Sequence, residues 1–157
     1  MLHLEYDGTP FAGWQLQGDQ PTVQREVEAA LAKLVGHPTR VFAAGRTDAG
    51  VHAAMQIACF DTEVVRSPRE IRDGLNAHLP PTVACVAASE VPGTFDARHA
   101  PHTKTYRYTF IHRPARSPLR VHRGWHVRGH LDVGAMHTAV QAIVGTHDLT
   151  AFRAVGC

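Results

Sequence analysis

The sequence predicts an α+β fold, and three observations carry the prediction. Segments with a two-residue apolar rhythm alternate with segments of 3.6-residue periodicity in the order strand, helix, strand, strand, helix, strand. The breaks between them carry turn and cap residues rather than long polar tracts. Of 157 residues, 44% are hydrophobic and 19% charged, which is enough apolar material for a core and too little charge for a disordered chain.

The elements follow in order. Leu2 to Tyr6 alternates and ends at Asp7-Gly8, a strand running into a turn. Pro21 to Val35 reads as a helix, with Val23, Val27, Ala30, Leu31 and Leu34 on one face, Pro21 in the first turn and Gly36 as the stop. Arg40 to Ala44 and Ala53 to Asp61 read as strands separated by the glycine-bracketed stretch 45–51. Ser67-Pro68-Arg69-Glu70 is a capping box that opens a helix carrying Ile71 and Leu75, which stops before Pro80-Pro81. Thr82 to Val91 is the next strand. Thr105 to His112 places Tyr106, Tyr108 and Phe110 on one face of a further strand. Asp132 caps a last helix, with Leu131 and Met136 spaced as a hydrophobic staple and Val133, Met136, Val140, Ile143 and Val144 as its buried stripe.

Helices on one side of a largely antiparallel sheet make an α+β domain. Residues 1–96 match a complete β-α-β-β-α-β, ferredoxin-like unit. Residues 97–157 hold a strand, a basic loop and a helix, then stop at Phe152 to Cys157 without a closing strand pair. The expectation is one complete unit followed by an incomplete one.

Charge is unevenly spread around a net +2. Residues 97–131 contain Arg98, Lys104, Arg107, Arg113, Arg116, Arg120, Arg123 and Arg128 and no acidic residue. A polyanion would relieve that repulsion, and the bias toward arginine suits forked contacts to phosphate. The alternative is a solvated face paired with acids from residues 1–96. No run of 18 apolar residues and no secretory leader pattern is visible, so neither a membrane span nor export is expected. Cys59, Cys85 and Cys157 are odd in number and far apart, which argues against a disulfide framework and points to a reducing, cytoplasmic setting.

The stretch Gly45-Arg46-Thr47-Asp48-Ala49-Gly50-Val51-His52-Ala53 carries the most chemistry. Its glycines permit close approach of a ligand. Arg46 can hold a phosphate or favour the ionised form of a nearby carboxylate, and Asp48 would then be a poised nucleophile. A polar turn in which Asp48 bonds local backbone amides is the alternative from spacing alone.

The segment GRTDAGVHA resembles the signature of TruA-type tRNA pseudouridine synthases. YDGTPFAGWQ (6–15), TVQREVEAALAKL (22–34), FDARHAPHTKTYRY (95–108) and DLTAFRA (148–154) agree with that family in the same order. The resemblance covers essentially the whole chain. It implies the pseudouridine synthase fold and isomerisation of uridine to pseudouridine at tRNA positions 38, 39 and 40 in the anticodon stem-loop, with no cofactor and no metal. By resemblance Asp48 is the catalytic nucleophile, Arg46 helps hold the flipped-out nucleotide, and Tyr106 stacks on the target uracil. Arg98, Lys104, Arg107, Arg113, Arg116, Arg120 and Arg123 are the candidate RNA-binding residues. The resemblance also implies a homodimer that shares its tRNA, and a longer chain, so this one is expected to be truncated at its C-terminus.

Two rival readings remain. One is a catalytically inactive RNA-binding fragment of such an enzyme. The other is a metal-dependent enzyme built on His122, His126 and His130, which recur at intervals of four; Gly124 and Gly129 interrupt any steady helix there, and no carboxylate or cysteine lies between them. Trp14, Trp125, Phe95 and Phe152 read as packing residues, Cys59 and Cys85 as small apolar ones.

Overall fold

The computed structural model describes residues 1–152. Cys157 and the end of the DLTAFRA stretch lie outside the described residues. The chain forms two compact units, the first Met1–Lys104 and the second beginning at Thr105.

In the first unit the strands are β1 (Leu2–Tyr6), β2 (Phe42–Ala43), β3 (Ala53–Cys59) and β4 (Val83–Ala88), and the helices are α1 (Val23–Val35) and α2 (Pro68–Asn76). The sheet order is β2-β3-β1-β4, and every neighbouring pair is antiparallel. Alternation in β1 buries Leu2, Leu4 and Tyr6. They meet Val23, Val27, Ala30 and Leu31 of α1, Ile71 and Leu75 of α2, and Val83 and Cys85 of β4 in one core. Burying each leucine there contributes about 1.5–3 kcal/mol relative to leaving it exposed. The opposite side of the sheet leaves Glu5, Met55 and Val86 in solvent.

Local signals set the helix limits. Thr22 is the N-cap of α1, its side chain accepting from Arg25 N–H at 3.4 Å, and Gly36 ends the helix in the left-handed region at φ 84°. Pro21 is thus outside the helix, contrary to the expected first-turn position, because the Thr22 hydroxyl takes the cap. Its carbonyl instead accepts from Ala12 N–H at 2.8 Å. The capping box of α2 forms as expected between Ser67 and Glu70, with Pro68 in the first turn. Asn76 closes α2 by pairing its amide with Cys85 N–H and C=O, both at 2.8 Å. β2, β3 and β4 are shorter than expected at their ends. β2 pairs only Phe42 with Cys59 and Ala43 with Ala58.

A buried amide fixes the run from α1 to β2. Gln24, 2% exposed, donates to Glu28 Oε1 at 2.8 Å and to Val41 O at 3.1 Å, and accepts from Leu16 N–H at 3.2 Å. Glu28 accepts from Val41 N–H at 3.0 Å. A buried polar side chain with all its groups engaged specifies one geometry.

The second unit holds β5 (Phe110–His112), β6 (Trp125–Val127) and α3 (Val133–Val140). β5 and β6 pair in parallel, and Ile111 is buried. Asp132 caps α3 through Ala135 N–H at 2.8 Å, as expected. Three expectations are corrected here. The strand expected over Thr105–His112 is confined to Phe110–His112, since among the described residues no neighbouring strand takes up the backbone groups of 105–108. The expected buried stripe of α3 lies open, with Val133 72%, Val140 46% and Val144 66% exposed. Phe152 and Trp125 are likewise exposed rather than packed, although the Trp125 ring lies 5.7 Å from that of Phe110. Periodicity identifies the apolar face of a helix but not whether another layer covers it. No described helix is long and apolar enough to cross a membrane.

Candidate active site

The GRTDAGVHA stretch links β2 to β3 and leaves the sheet at the Tyr6 end of β1, where Tyr6 pairs with Ala53. It is held along its length by one other segment, residues 6–14. The Tyr6 hydroxyl lies 2.8 Å from Thr47 Oγ1, and Trp14 N–H donates to Thr47 O at 2.9 Å. Gly50 N–H donates to Phe11 O at 3.2 Å, and Gly8 N–H donates to His52 Nδ1 at 3.1 Å. Gln56 of β3 closes the entry by donating to Gly45 O. The segments YDGTPFAGW and GRTDAGVHA are therefore one structural object, a loop and its cradle.

Two glycines make the approach possible. A Cβ on Gly8 would stand 2.0 Å from Val51 O, and one on Gly13, at φ +106°, would stand 2.6 Å from Thr47 O. Any side chain at either position would push the loop off its support. Tyr6 is buried, and burial pushes its phenol up while the hydrogen bond to Thr47 offsets part of that. It acts as a neutral strut beneath the loop.

Between these anchors the chain turns at 48–51, where Val51 N–H donates to Asp48 O at 3.2 Å. Asp48 is exposed at the tip. Among the described residues its carboxylate accepts no hydrogen bond and makes no ion pair. The polar-turn alternative, with the Asp48 side chain tied to local amides, is not what this geometry contains. Arg46 is also exposed and is not ion-paired with Asp48.

Arg46 instead lines an open cleft of about 930 Å³ beside β2, with Trp14, Arg40, Arg98, His99 and Lys104 among the other lining residues. Asp61 and Asp96 also line it. Asp96 is already engaged, accepting from Arg98 N–H and lying 2.7 Å from the ring Nδ1 of His99; these bonds, the His99 one foremost, hold its carboxyl below the usual range. That turn presents Arg98 to the cleft. Lys104 lies over Gly45, its Nζ 2.7 Å from where a Cβ would be. Arg40 is shared with Glu28 at 3.7 Å. The cleft is thus basic on balance and sized for a nucleotide-scale ligand.

The remaining expected site residues belong to the second unit. Tyr106 is 78% exposed, and Arg107, Arg116, Arg120 and Arg123 are exposed. Arg113 is folded onto its own loop, donating through Nε to Ala115 O at 2.5 Å and through a terminal nitrogen to Arg116 O. Tyr108, Phe110 and Trp125 form a run of ring contacts at 5.2 and 5.7 Å. Among the described residues no three His, Cys, Asp or Glu side chains are grouped to hold a metal, and His126 bonds Arg113 O at 2.8 Å. Sequence reasoning missed the bracing residues Tyr6, Gln24 and His52 and the cleft residue Arg40. The partners of Tyr6 and His52 are far away in the chain, and only the position of these two at the edges of the two glycine-rich segments hinted at them; Gln24 and Arg40 bond nearer residues but carry no motif.

Comparison with known proteins agrees with this arrangement. A family described as tRNA pseudouridine synthase matches residues 3–99. Proteins named tRNA pseudouridine synthase A are 49% identical in Methylobacterium radiotolerans, 48% in a Bradyrhizobium species and 48% in Geobacter sulfurreducens, each over 99% of this chain. The chain spans 62–64% of the length of these relatives. An antiparallel sheet with helices is consistent with a pseudouridine synthase fold, and because the family match covers more than half of the chain, including the Asp48 loop and its cradle, the chain belongs to the tRNA pseudouridine synthase family.

Proposed function

We propose that this chain carries the catalytic loop of a tRNA pseudouridine synthase that converts uridine to pseudouridine at positions 38, 39 and 40 of the anticodon stem-loop. The observation that carries the reading is the exposed, unengaged Asp48 carboxylate at the tip of a braced loop whose Arg46, two residues earlier, lines a basic cleft. Asp48 is the nucleophile. The N1–C1′ glycosidic bond breaks, the uracil turns, and C5 bonds to C1′; the C5 proton goes to solvent and N1 gains one, so the change is an isomerisation with no cofactor. Such chemistry needs the nucleotide out of its stack. Arg46 holds the extruded nucleotide, and Tyr106 offers a face to the uracil, a stacking contact worth about 1–3 kcal/mol. Arg98 and Lys104 in the cleft, and Arg107, Arg116, Arg120 and Arg123 in the second unit, contact the tRNA backbone. We read the first unit as ferredoxin-like, a reading supported by its β-α-β-β-α-β order and its β2-β3-β1-β4 sheet. The working form is a cytoplasmic homodimer.

The second reading, a tRNA-binding fragment without turnover, is favoured by the open apolar side of α3. The two differ in one measurement. An unmodified tRNA transcript carrying tritium at uridine C5 releases label to water when isomerised. Release by the 157-residue chain supports the enzyme; salt-sensitive binding without release supports the fragment.

A further inference from the structure

The exit of the loop holds a histidine with two claims on one nitrogen. His52 Nδ1 accepts from Gly8 N–H at 3.1 Å and lies 3.0 Å from Asp7 Oδ1. A ring nitrogen that accepts from an amide carries a lone pair, whereas one that bonds a carboxylate carries a hydrogen. The same Nδ1 satisfies only one of these at a time. Asp7 is meanwhile secured by Thr9, whose N–H and hydroxyl donate to Oδ1 at 3.0 and 2.6 Å. The Asp7 backbone N–H donates to Thr82 O at 2.8 Å. The carboxylate is thus a fixed object against which the ring is set, and the amide of Gly8, packed on Val51 O, is the loop's anchor at this end.

Resting on the reading under Proposed function, we propose that His52 is a positioning residue for Asp48: with its lone pair on Nδ1 it holds Gly8 and locks the exit of the nucleophile loop, and protonation transfers it to Asp7 and frees that exit. The ring is four residues from Asp48 in the chain and directly follows the turn that Val51 closes, so slack at Gly8 is slack at the nucleophile. Displacement of a reacting group by an ångström is enough to lower the rate about a hundredfold. Asp7 comes from the end of β1, residues 8–14 contribute no ionisable side chain, and Pro80-Pro81-Thr82 contributes none. Tyr6 is committed to Thr47, and Arg46 and Asp48 on the loop itself are exposed.

The test is amide exchange on the 157-residue chain, comparing wild type, His52→Asn and His52→Ala between about pH 5 and pH 8, where imidazole changes charge. Asparagine keeps an acceptor near the position of Nδ1 without titrating there. The protection factor of the Gly8 amide is expected to fall roughly tenfold or more in wild type as pH drops, as for a local opening. In His52→Asn it should stay high at both ends, and in His52→Ala it should be low at both, while amides of β1 and α2 stay unchanged in all three. Where the wild type turns over, His52→Ala lowers kcat about 10–100-fold at constant KM, and His52→Asn restores it. Gly8 protection that ignores pH in wild type, or a His52→Ala chain with wild-type protection, overturns the proposal. Absence of turnover in wild type counts against the proposed function and leaves the exchange result to decide this one.

Discussion

At the residue scale, the exposed acid is a poor structural residue and a good chemical one. The Asp48 carboxylate is tied to nothing among the described residues, so Asp48→Ala should leave the melting temperature within the error of wild type while lowering product by at least about 1,000-fold, as loss of a nucleophile does. Its cradle is the opposite case. Gly13→Ala meets Thr47 O at 2.6 Å and a φ of +106°, so it should destabilise the first unit by about 1–3 kcal/mol in urea unfolding and lower turnover as well. A variant as stable as wild type would mean that the loop does not rest on residue 13. The GRTDAGVHA stretch was legible as a candidate site because its residue types suit chemistry. Its cradle was not, because the bonds from Tyr6, Phe11 and Trp14 join residues more than about 30 positions apart and mostly use the backbone, which leaves no side-chain pattern to read.

At the element scale, the first unit depends on polar details inside an apolar frame. Gln24→Leu would strip Leu16 N–H and Val41 O of partners, and the expected cost is about 1–3 kcal/mol in chemical denaturation despite the added apolar side chain. The sheet also holds two protonated acids. Burial pushes the Cys85 thiol up to about 11 and raises Tyr6. A raised value means that the stability tied to the neutral form is complete below the ordinary thiol range and is lost as pH climbs toward the folded value. Melting temperature should therefore fall between about pH 9 and 11, and less steeply in Cys85→Val; equal slopes would mean the thiol is not the titrating group. Cap residues placed the starts of α1, α2 and α3 within a residue or two, whereas α2 and α3 end three to four residues earlier than expected, at Asn76 and Val140. What periodicity could not convey was cover. The stripe of α3 has the pattern of a buried face, and the residues that would decide its burial lie outside the helix.

At the scale of the whole molecule, the basic bias of residues 97–131 resolves into residues with different tasks. Arg98 faces the cleft and Arg113 is spent on its own loop. Arg98→Gln should weaken tRNA binding and reduce the slope of log K against log salt by about 0.7–1, the mark of one lost phosphate contact. Arg113→Gln should leave that slope alone and loosen the loop from 113 to 124, read as faster exchange at the Trp125 amide. The composition suggested a polyanion partner, yet it gave no means of telling a proposed phosphate contact from a loop clamp. All of this rests on Asp48 acting as a nucleophile, and the most direct measurement is position-by-position pseudouridine mapping on an unmodified tRNA transcript incubated with the wild-type chain and with Asp48→Ala. Pseudouridine at 38–40 with wild type and none with the variant is the predicted result; equal product from both, or product only at other positions, would contradict the account.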